Sequence, residues 1–577
     1  MKHYFHIKQA FLKTTLFAGL LGTSASLLGA GNAEKIKTQF TAENDSIYLP
    51  MSAQAEYTPF EIFCDGKKIA SYGHALLSFD RKAWEAEIDI SAYRGKTLVL
   101  ESTPKAGKNP KIRQGKKNAA YTKEAKRPLF HFSTLNGWLN DPNGLVYFNG
   151  QWHLFHQYNP YSHAFQLGLH WAHAVSDDLV NWRYLPQVFT PSIGEDGTKY
   201  EAWSGTAYFD AENKSGFFKD GRGGVLFTYT KCNSGETLVA SDDLKTYREV
   251  GKNPFITAAG RDPRIFFNKD SGLWTVVRYE ESGKDKTFKY FFAKYVSKDL
   301  KTWERCGILM DYAFECPDFR KMPVEGTDES KWLVFDAAGN YTIGDFDGRN
   351  FKNAMKYKRL RTFFGANYAM QTWNNAPDNR TLAVAVMRTG ERFFRQHDQP
   401  YSRSMTLPWE LYLVRGGEFN YSMRARIPRE LAERFDAVEK TPVAAEKTQS
   451  GFSIKDIGSS SYILEGEAEL NDDGVFKLDM GVGAYIINTH TGDLEITCKG
   501  ENSRKYKPDP LFDRKKMKFS LIVDLCGAEL MINDGQAVIS LGAWIDEHHD
   551  IEISAKKLSN LSLRKFTKKD FLPKKGN

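Results

Sequence analysis

The chain of 577 residues has only six cysteines, and none of them belongs to a CxxC motif. This spacing excludes the common zinc and redox motifs, which need paired thiols. Cys498 and Cys526 could form a disulfide in an exported protein, but spacing does not fix a pairing, so free thiols are the default expectation. The cysteine spacing therefore predicts no metal site.

A long uninterrupted apolar run is also missing. Residues 14–30 carry no charge, but Gly and Ser interrupt this stretch, and it is shorter than the roughly 20 residues of a membrane-spanning helix. Lysines precede it and small residues follow it up to Ala33, a pattern typical of a secretory signal peptide. We therefore expect residues 1–33 to direct export to the periplasm or the medium, with no membrane span after cleavage.

Charge is only weakly one-sided, with 79 Lys and Arg against 71 Asp and Glu. The basic side chains concentrate in residues 105–127, where they lie among Gly, Pro, Asn and Gln. A nucleic-acid-binding face would interleave basic and aromatic residues. We therefore expect no nucleic-acid partner, and residues 105–127 are interpreted as a solvated linker.

Helical periodicity is nearly absent, whereas short strand-like runs are common. Asp65 and Gly66 form a hairpin signal within residues 34–104, which predicts a small N-terminal β-domain. Its aromatic rings could bind polysaccharide, but the core is the favoured place for them because small domains need such residues for stability: Tyr57, Phe60, Phe63 and Trp84. Further strands are predicted at residues 152–158, 170–175, 225–230, 273–279, 290–296, 332–337 and 382–387.

A short phrase recurs three times, as SDDLVNW at 176–182, SDDLKTY at 241–247 and SKDLKTW at 297–303. Each copy follows a predicted strand, and repeats at such spacings are typical of solenoids and propellers. Residues 128–425 would accommodate about five four-stranded blades. We therefore expect an all-β chain with a five-bladed β-propeller at 128–425, a connector with one short helix at 426–447 and a C-terminal β-sandwich at 448–577.

Three acidic residues stand out by their settings: Asp141 in WLNDPNG, Asp262 in GRDP and Glu315 in FECP. Each motif taken alone is an ordinary turn. Together they fit glycoside hydrolysis, which needs one ionised and one protonated carboxyl group. The loops of successive blades converge at one end of a propeller, so residues from separate repeats can share a pocket.

The neighbours of these acids suggest a division of roles. Arg261 would hold the carboxyl group of Asp262 ionised, and Phe314 with Cys316 would desolvate Glu315 and raise its pKa.

These motifs resemble those of glycoside hydrolase family 32, the β-fructosidase group of levanases, inulinases and invertases. WLNDPNG resembles the nucleophile motif of the family, RDP and EC resemble two further motifs, and all three are in the family's order. The resemblance implies a retaining hydrolase of fructans or sucrose that releases fructose without a cofactor. Asp141 would be the nucleophile, Glu315 the acid/base and Asp262 the transition-state stabiliser.

The resemblance also implies a set of substrate-binding residues: Asn140, Gln157, Trp203, Ser204, Arg261, Cys316, Phe165 and Tyr401. The segment before His170 departs from the family pattern, because QLGL at 166–169 stands where the family has a Trp-Gly-Asn-Met type segment. A sugar-facing Trp is therefore lost or replaced by Phe165. Endo-cleavage, fructosyl transfer and a non-catalytic sugar-binding propeller remain alternatives, the last disfavoured because all three acids are present.

Overall fold

The computed structural model describes residues 35–79, 82–104, 107–257, 259–283, 287–356, 359–416, 420–507 and 515–572. The expected signal peptide lies outside these residues. The described chain is all-β, with two short α-helices at Glu391–Gln396 and Arg429–Asp436. No helix within the described ranges has the length and apolar character needed to cross a membrane.

The N-terminal unit contains two antiparallel sheets. One has the order Ile36–Thr41, Thr97–Ser102, Thr58–Cys64 and Lys67–Ala75, and the other has the order Trp84–Asp89, Ser46–Met51 and Arg113–Gly115. The predicted hairpin at Asp65 and Gly66 is confirmed, with φ of 50° and 74° at these two residues, as a tight hairpin turn with two left-handed residues requires. Phe60 and Trp84 are buried in the core of this unit.

The stretch 105–127 differs from the expected solvated linker. Arg113–Gly115 pairs with the strand Ser46–Met51, and the guanidinium of Arg113 lies 2.5 Å from the buried carboxylate of Glu85. The acidic partners of this stretch are distant in sequence, since Glu85 lies 28 positions before Arg113 and Asp398 lies 275 positions after Lys123. The stretch therefore completes the N-terminal unit.

Five antiparallel sheets follow, here called sheets I to V. Sheet I contains Gly137–Phe148, Gln151–Asn159, His170–Ser176 and Trp182–Phe189, and sheet II contains Ala202–Asp210, Gly224–Lys231, Gly235–Ser241 and Arg248–Glu249. Sheet III contains Arg261–Asn268, Leu273–Ser282, Lys289–Ser297 and Glu304–Asp311, and sheet IV contains Asp318–Pro323, Ser330–Phe335, Asn340–Phe346, Phe351–Asn353 and Leu360–Arg361. Sheet V contains Asn367–Thr372, Thr381–Met387, Ser404–Met405, Trp409–Arg415 and Tyr421–Arg426. Tyr401–Ser402 adds a parallel edge to sheet I, and Ser192–Ile193 pairs with Lys199–Tyr200.

The repeated phrase has one structural role in sheets I to III, where it connects the third strand to the fourth. Leu179, Leu244 and Leu300 all have positive φ, between 55° and 62°, and all three are buried. In two of the copies the serine hydroxyl accepts the N–H of this leucine, at 2.8 Å in one and 2.9 Å in the other. The repeat in sequence is therefore a repeat in conformation.

Helix content matches the sequence prediction with one addition. The predicted short helix in the connector is confirmed at Arg429–Asp436, with Leu431 and Phe435 buried. The six-residue helix Glu391–Gln396 was not predicted, because a segment of fewer than two turns carries almost no periodic signal. Phe393 and Phe394 anchor this helix in the C-terminal core.

The C-terminal unit consists of two seven-stranded sheets. The first has the order Phe363–Gly365, Ala537–Gly542, Gly527–Ile532, Lys516–Asp524, Tyr462–Glu469, Lys557–Lys565 and Thr441–Pro442. The second has the order Glu446–Thr448, Gly451–Ile454, Ile551–Ser554, Val475–Asp479, Gly483–Asn488, Asp493–Cys498 and Arg504–Tyr506. Both sheets contribute to one hydrophobic cluster. Cys498 and Cys526 are free thiols, as are the other four cysteines.

Candidate active site

The candidate site lies where the first strands of the five sheets begin. In four of these strands the register shifts near the start, at Leu139/Pro142, Ala202/Gly205, Arg261/Arg264 and Tyr368/Gln371. Such bulges re-aim side chains out of the regular alternation of a strand. Asp141, Ser204 and Asp262 all lie within them, so the same local irregularity presents functional groups from three sheets.

Asp141 is buried and well supplied with hydrogen-bond donors. The hydroxyl of Ser204 donates to Oδ2 at 2.7 Å, the amide of Asn140 donates to Oδ1 at 2.9 Å, and Sγ of Cys316 lies 3.6 Å from Oδ2. Burial raises the pKa of Asp141 to about 6 and the charge of Glu315 adds to this, whereas the bonds from Ser204 and Cys316 oppose it. Asp141 therefore becomes a carboxylate only above mildly acidic pH.

A chain of hydrogen bonds leads from Asp141 to a cation. Arg403 donates to Asn140 at 2.6 Å, Asn140 donates to Gln157 at 3.2 Å, and Gln157 donates to Ser204 at 2.7 Å. Because the hydroxyl of Ser204 donates its proton to Asp141, each hydrogen bond in this chain is donated in the direction of the Asp141 carboxylate. Four residues from two sheets and one loop thus orient the two carboxylate oxygens of Asp141.

The bond from Ser204 gives a pH-dependent prediction. In Ser204→Ala the pKa of Asp141 rises, because a bond that favours the ionised form is lost. The acidic limb of kcat/KM is then expected to move to higher pH by about 0.5 to 1 pH unit. Thr206→Ala is the control, since Thr206 lies two residues on and donates to the carbonyl of Pro263 at 3.1 Å instead. Rate profiles from pH 4 to 9 provide the measurement, and an unshifted limb would contradict the role of Ser204.

Asp262 is buried beside Asp141. Its N–H donates to the hydroxyl of Thr230 at 2.9 Å, and its carboxylate accepts the N–H of Cys316 at 3.2 Å. Burial raises the pKa of Asp262, and although Arg261 opposes this, the charges of the neighbouring carboxylates add to it. The prediction that Arg261 holds Asp262 ionised is therefore wrong, because burial and like charge outweigh a guanidinium that lies 3.8 Å away.

Arg261 makes its close contact with Glu315 instead. Nη2 of Arg261 donates to Oε1 of Glu315 at 2.7 Å, and the hydroxyl of Tyr368 donates to Oε2. The side chain of Glu315 is 24% exposed. The ring of Phe314 packs on Tyr279, with centroids 5.3 Å apart. Two donors thus hold Glu315 in the loop that precedes sheet IV.

Left-handed backbone occurs at two of these acids and at Cys316, which follows Glu315. Asp262, Glu315 and Cys316 have φ of 60°, 54° and 46°, in the left-handed region that L-residues rarely adopt. Strained positions of this kind persist where the surrounding structure over-determines them, and they cluster at functional sites. Sγ of Cys316 also lies within 3.7 Å of the Asp262 carboxylate, so the thiol touches both aspartates.

Three residues of the site were missed as functional residues by sequence reasoning. Tyr368 contacts Glu315, and the guanidinium of Arg388 stacks 4.0 Å from the Tyr368 ring. The YAMQ phrase at 368–371 is the signal that could have marked Tyr368. Arg403 carries no local signal, since it reaches Asn140 across 263 positions of sequence.

The remaining predicted binding residues lie in different environments. Trp203 is half-buried at the rim, and its indole donates to Glu201 at 3.3 Å. Phe165 is 52% exposed and packs edge-on against Trp138 at 5.7 Å. Tyr401 does not reach the site, because its ring is fully buried and its hydroxyl donates to the carbonyl of Lys126 at 2.7 Å.

Three convergent carboxyl groups are the kind of site that glycoside hydrolysis uses. Residues 131–422 match the family described as Glycosyl hydrolases family 32 N-terminal domain. The chain therefore belongs to glycosyl hydrolase family 32.

Two characterised relatives are similar over most of the chain. A levanase of Bacillus subtilis is 30% identical over 486 residues, which is 73% of this chain and 67% of the relative. An extracellular exo-inulinase of Meyerozyma guilliermondii is 35% identical over 417 residues, which is 67% of this chain and 76% of the relative.

Solved structures share the fold. An exo-inulinase from Aspergillus awamori superposes with a TM-score of 0.63 at 20% identity, over 77% of this chain and 98% of that one. A family 32 glycoside hydrolase from Bifidobacterium adolescentis superposes with a TM-score of 0.61 at 18% identity, over 92% of this chain and 99% of that one. The second likeness extends over most of the described chain.

Proposed function

We propose that this protein hydrolyses β-fructofuranosidic bonds in levan, inulin or sucrose and releases fructose from chain ends. The observation that carries the proposal is the convergence of Asp141, Asp262 and Glu315 from two bulged strands and one loop. The thiol of Cys316 contacts both aspartates, and Arg261 lies beside Asp262 and Glu315. The relatives named levanase and exo-inulinase support a fructan as the substrate class.

In the proposed mechanism Asp141 attacks the anomeric carbon of the terminal fructosyl unit while Glu315 protonates the departing oxygen. The bond to the leaving group breaks as a fructosyl ester of Asp141 forms. Glu315, now a carboxylate, removes a proton from water, which attacks the same carbon and regenerates Asp141. Asp262 holds fructose hydroxyl groups throughout, and two inversions retain configuration.

The electrostatics support such a sequence. The mechanism starts with one carboxyl group ionised and another protonated. The three carboxyl groups repel one another in a buried setting, which raises the pKa values of Asp141 and Asp262. The cluster therefore binds a proton more tightly than isolated carboxylates would. Arg261 donates to one carboxyl oxygen of Glu315 at 2.7 Å and Tyr368 donates to the other, so the two donors fix the position of Glu315 beside this cluster.

We further infer that sheets I to V are the blades of a closed five-bladed propeller. Support comes from contacts between their first strands. Gln371 of sheet V donates to carbonyls of sheets I and II, Thr206 of sheet II donates to Pro263 of sheet III, and Asp318 of sheet IV pairs with Arg264 of sheet III at 3.4 Å. The seven-stranded sheets form the proposed β-sandwich, and the boundaries expected from sequence stand as proposals, with the N-terminal unit extended to include Arg113–Gly115.

Product analysis tests the proposed function. Purified protein is incubated with sucrose, inulin and levan, and the products are separated by chromatography. Fructose as the small product from inulin and levan, and fructose with glucose from sucrose, supports exo-hydrolysis. A ladder of oligosaccharides would favour endo-cleavage, and longer products would favour fructosyl transfer. Folded protein without any product would favour a sugar-binding propeller.

Phe165 is the proposed substitute for a sugar-facing Trp at the rim. Phe165→Ala is expected to raise KM for inulin about 3- to 10-fold, because an exposed ring beside a site binds sugar through its apolar face. The matched control is Tyr312→Ala, which removes another exposed ring, 53% exposed, from the loop that precedes Glu315. Initial rates over a range of inulin concentrations give KM, and an unchanged value would remove Phe165 from the site.

Export is also proposed. The charge-free stretch at 14–30 supports it, as does the extracellular exo-inulinase among the relatives.

A further inference from the structure

A second cavity lies between the N-terminal unit and sheets I and II. This interface cleft has a volume of about 100 Å³ and is lined by Tyr72 of the N-terminal unit, Gln187 of sheet I, and Tyr200 and Glu201 just before sheet II. Thr190, which also lines it, is exposed, so the cleft opens to solvent. No step of the proposed mechanism uses these residues.

The cleft is at the same edge of the sheets as the acids. In sheet I the antiparallel order places the start of the first strand, where Asp141 lies, beside the start of the third strand and the end of the fourth. Gln187 lies near that end, and Glu201 directly precedes sheet II. Glu201 bonds the indole of Trp203 at 3.3 Å, and Trp203 is next to Ser204. The cleft and the candidate site therefore lie at the same edge of the sheets, and the bond between Glu201 and Trp203 connects their linings.

Several polar side chains that line the cleft have no hydrogen-bond partner among the described residues. The amide of Gln187 and the hydroxyls of Thr190 and Tyr200 make no hydrogen bond with any residue that the structure describes. Gln187 lies in an irregular part of its strand, because the register shifts between the pairs Trp171–Phe189 and His173–Leu185. A ligand with many hydroxyl groups can pair with all three side chains.

The charged residues that line the interface cleft further restrict the class of ligand that it can bind. Three acidic residues line the cleft, the buried Glu201 with Asp89 and Glu87, against one basic residue, Lys199. Carboxylates accept hydrogen bonds from sugar hydroxyls, whereas they repel phosphate and other anions. An uncharged oligosaccharide fits this lining.

The N-terminal unit also fixes the floor of the cleft. The N–H of Gly168 donates to Glu201 at 2.8 Å, and Gly168 has φ of 100°. A Cβ added at Gly168 would lie 2.9 Å from the ring of Tyr72, which therefore packs directly on the backbone of the segment 166–169. Tyr72 thus holds the segment that departs from the family pattern.

We propose that the interface cleft binds fructosyl units of a fructan chain remote from the bond that is cleaved. The N-terminal unit thereby gives the enzyme preference for long chains over sucrose. This inference rests on the proposed function, because it assigns a remote part of the same substrate to the cleft.

The test uses Gln187→Ala and Tyr200→Phe in the full chain. Substrates are sucrose and levan-type or inulin-type oligosaccharides of about six fructosyl units. KM for the oligosaccharides is expected to rise about 2- to 10-fold in each variant, as loss of one hydrogen bond implies, while kcat/KM for sucrose stays unchanged. Gln151→Ala is the control, because Gln151 pairs with Phe148 at the opposite edge of sheet I.

Three results of this experiment would each contradict either the subsite or the proposed function. Unchanged KM for the oligosaccharides in both variants would overturn the cleft as a subsite while leaving the proposed function intact. An equal loss on sucrose and oligosaccharides would also overturn it, since that result indicates general damage to the active site. If the wild type hydrolyses neither substrate, the proposed function fails, and calorimetric titration of the same oligosaccharides into wild type and Gln187→Ala then decides the cleft alone.

Discussion

Asp141→Asn is expected to lower kcat for sucrose by about 10⁴-fold or more, the scale seen when a covalent nucleophile is removed. The replacement is nearly isosteric, so Ser204 and Asn140 keep their neighbour and the protein stays folded. The amide cannot form the fructosyl ester, because its oxygen is uncharged and is a far weaker nucleophile than a carboxylate oxygen. Stopped assays with enzyme at high concentration measure the residual rate.

Glu315→Gln completes this first prediction, because it tests the role of the acid/base separately from that of the nucleophile. Removing a general acid/base is expected to cost about 10²- to 10⁴-fold in kcat. With an aryl fructoside whose leaving group departs without protonation, azide, which needs no deprotonation to attack, should restore turnover and yield fructosyl azide, because Asp141 still forms the intermediate. Glu281→Gln is the matched control, since Glu281 also contacts Arg261, at 3.4 Å, but lies outside the acid cluster.

The result for Asp141→Asn decides the assignment. If the variant retained a tenth of the wild-type kcat, Asp141 could not be the nucleophile. If azide accelerated Asp141→Asn rather than Glu315→Gln, the roles of the two acids would be exchanged.

The three acids could be predicted from sequence because each lies in a short motif whose chemistry is local. The all-β fold was equally accessible, since the phrase that begins at Ser176, Ser241 and Ser297 marks the same strand connection each time. These features depend on neighbours within a few residues.

The partners of the acids could not be predicted, because they depend on the convergence of separate sheets. Arg261 is adjacent to Asp262 in sequence, yet the bulge at its strand turns its guanidinium toward Glu315. Arg403 reaches Asn140 only because Tyr401–Ser402 pairs with the start of sheet I. The same pairing buries Tyr401, which explains why its expected place at the site was not found.

His131→Ala is expected to lower the free energy of unfolding by about 3–5 kcal/mol at neutral pH. Nδ1 of His131 lies 3.2 Å from Asp524, and Nε2 lies 3.0 Å from Glu529, in the C-terminal unit. Burial by itself would lower the pKa of His131, but the two bonds outweigh it and raise the pKa to about 9. The ring is therefore cationic at neutral pH, and removing it leaves two buried carboxylates uncompensated. Urea titrations followed by tryptophan fluorescence measure the loss.

The pH dependence distinguishes this ion pairing from simple packing. The pKa of His131 in the folded state, about 9, exceeds the 6.5 of an unperturbed histidine. Its stabilisation is therefore complete below pH 6.5 and is lost as pH rises through about 9. The difference in stability between wild type and His131→Ala should shrink over that range, whereas a packing defect would cost the same at every pH.

His548→Ala provides the matched control for burial. His548 also pairs with an aspartate, Asp456, at 2.9 Å, but the two side chains are 74% and 65% exposed. Water and salt screen such a pair, so its removal should leave the unfolding transition unchanged. Equal transitions for His131→Ala and His548→Ala would show that burial adds nothing. The expected contrast instead makes His131 the electrostatic link between the strand system that carries the acids and the C-terminal unit.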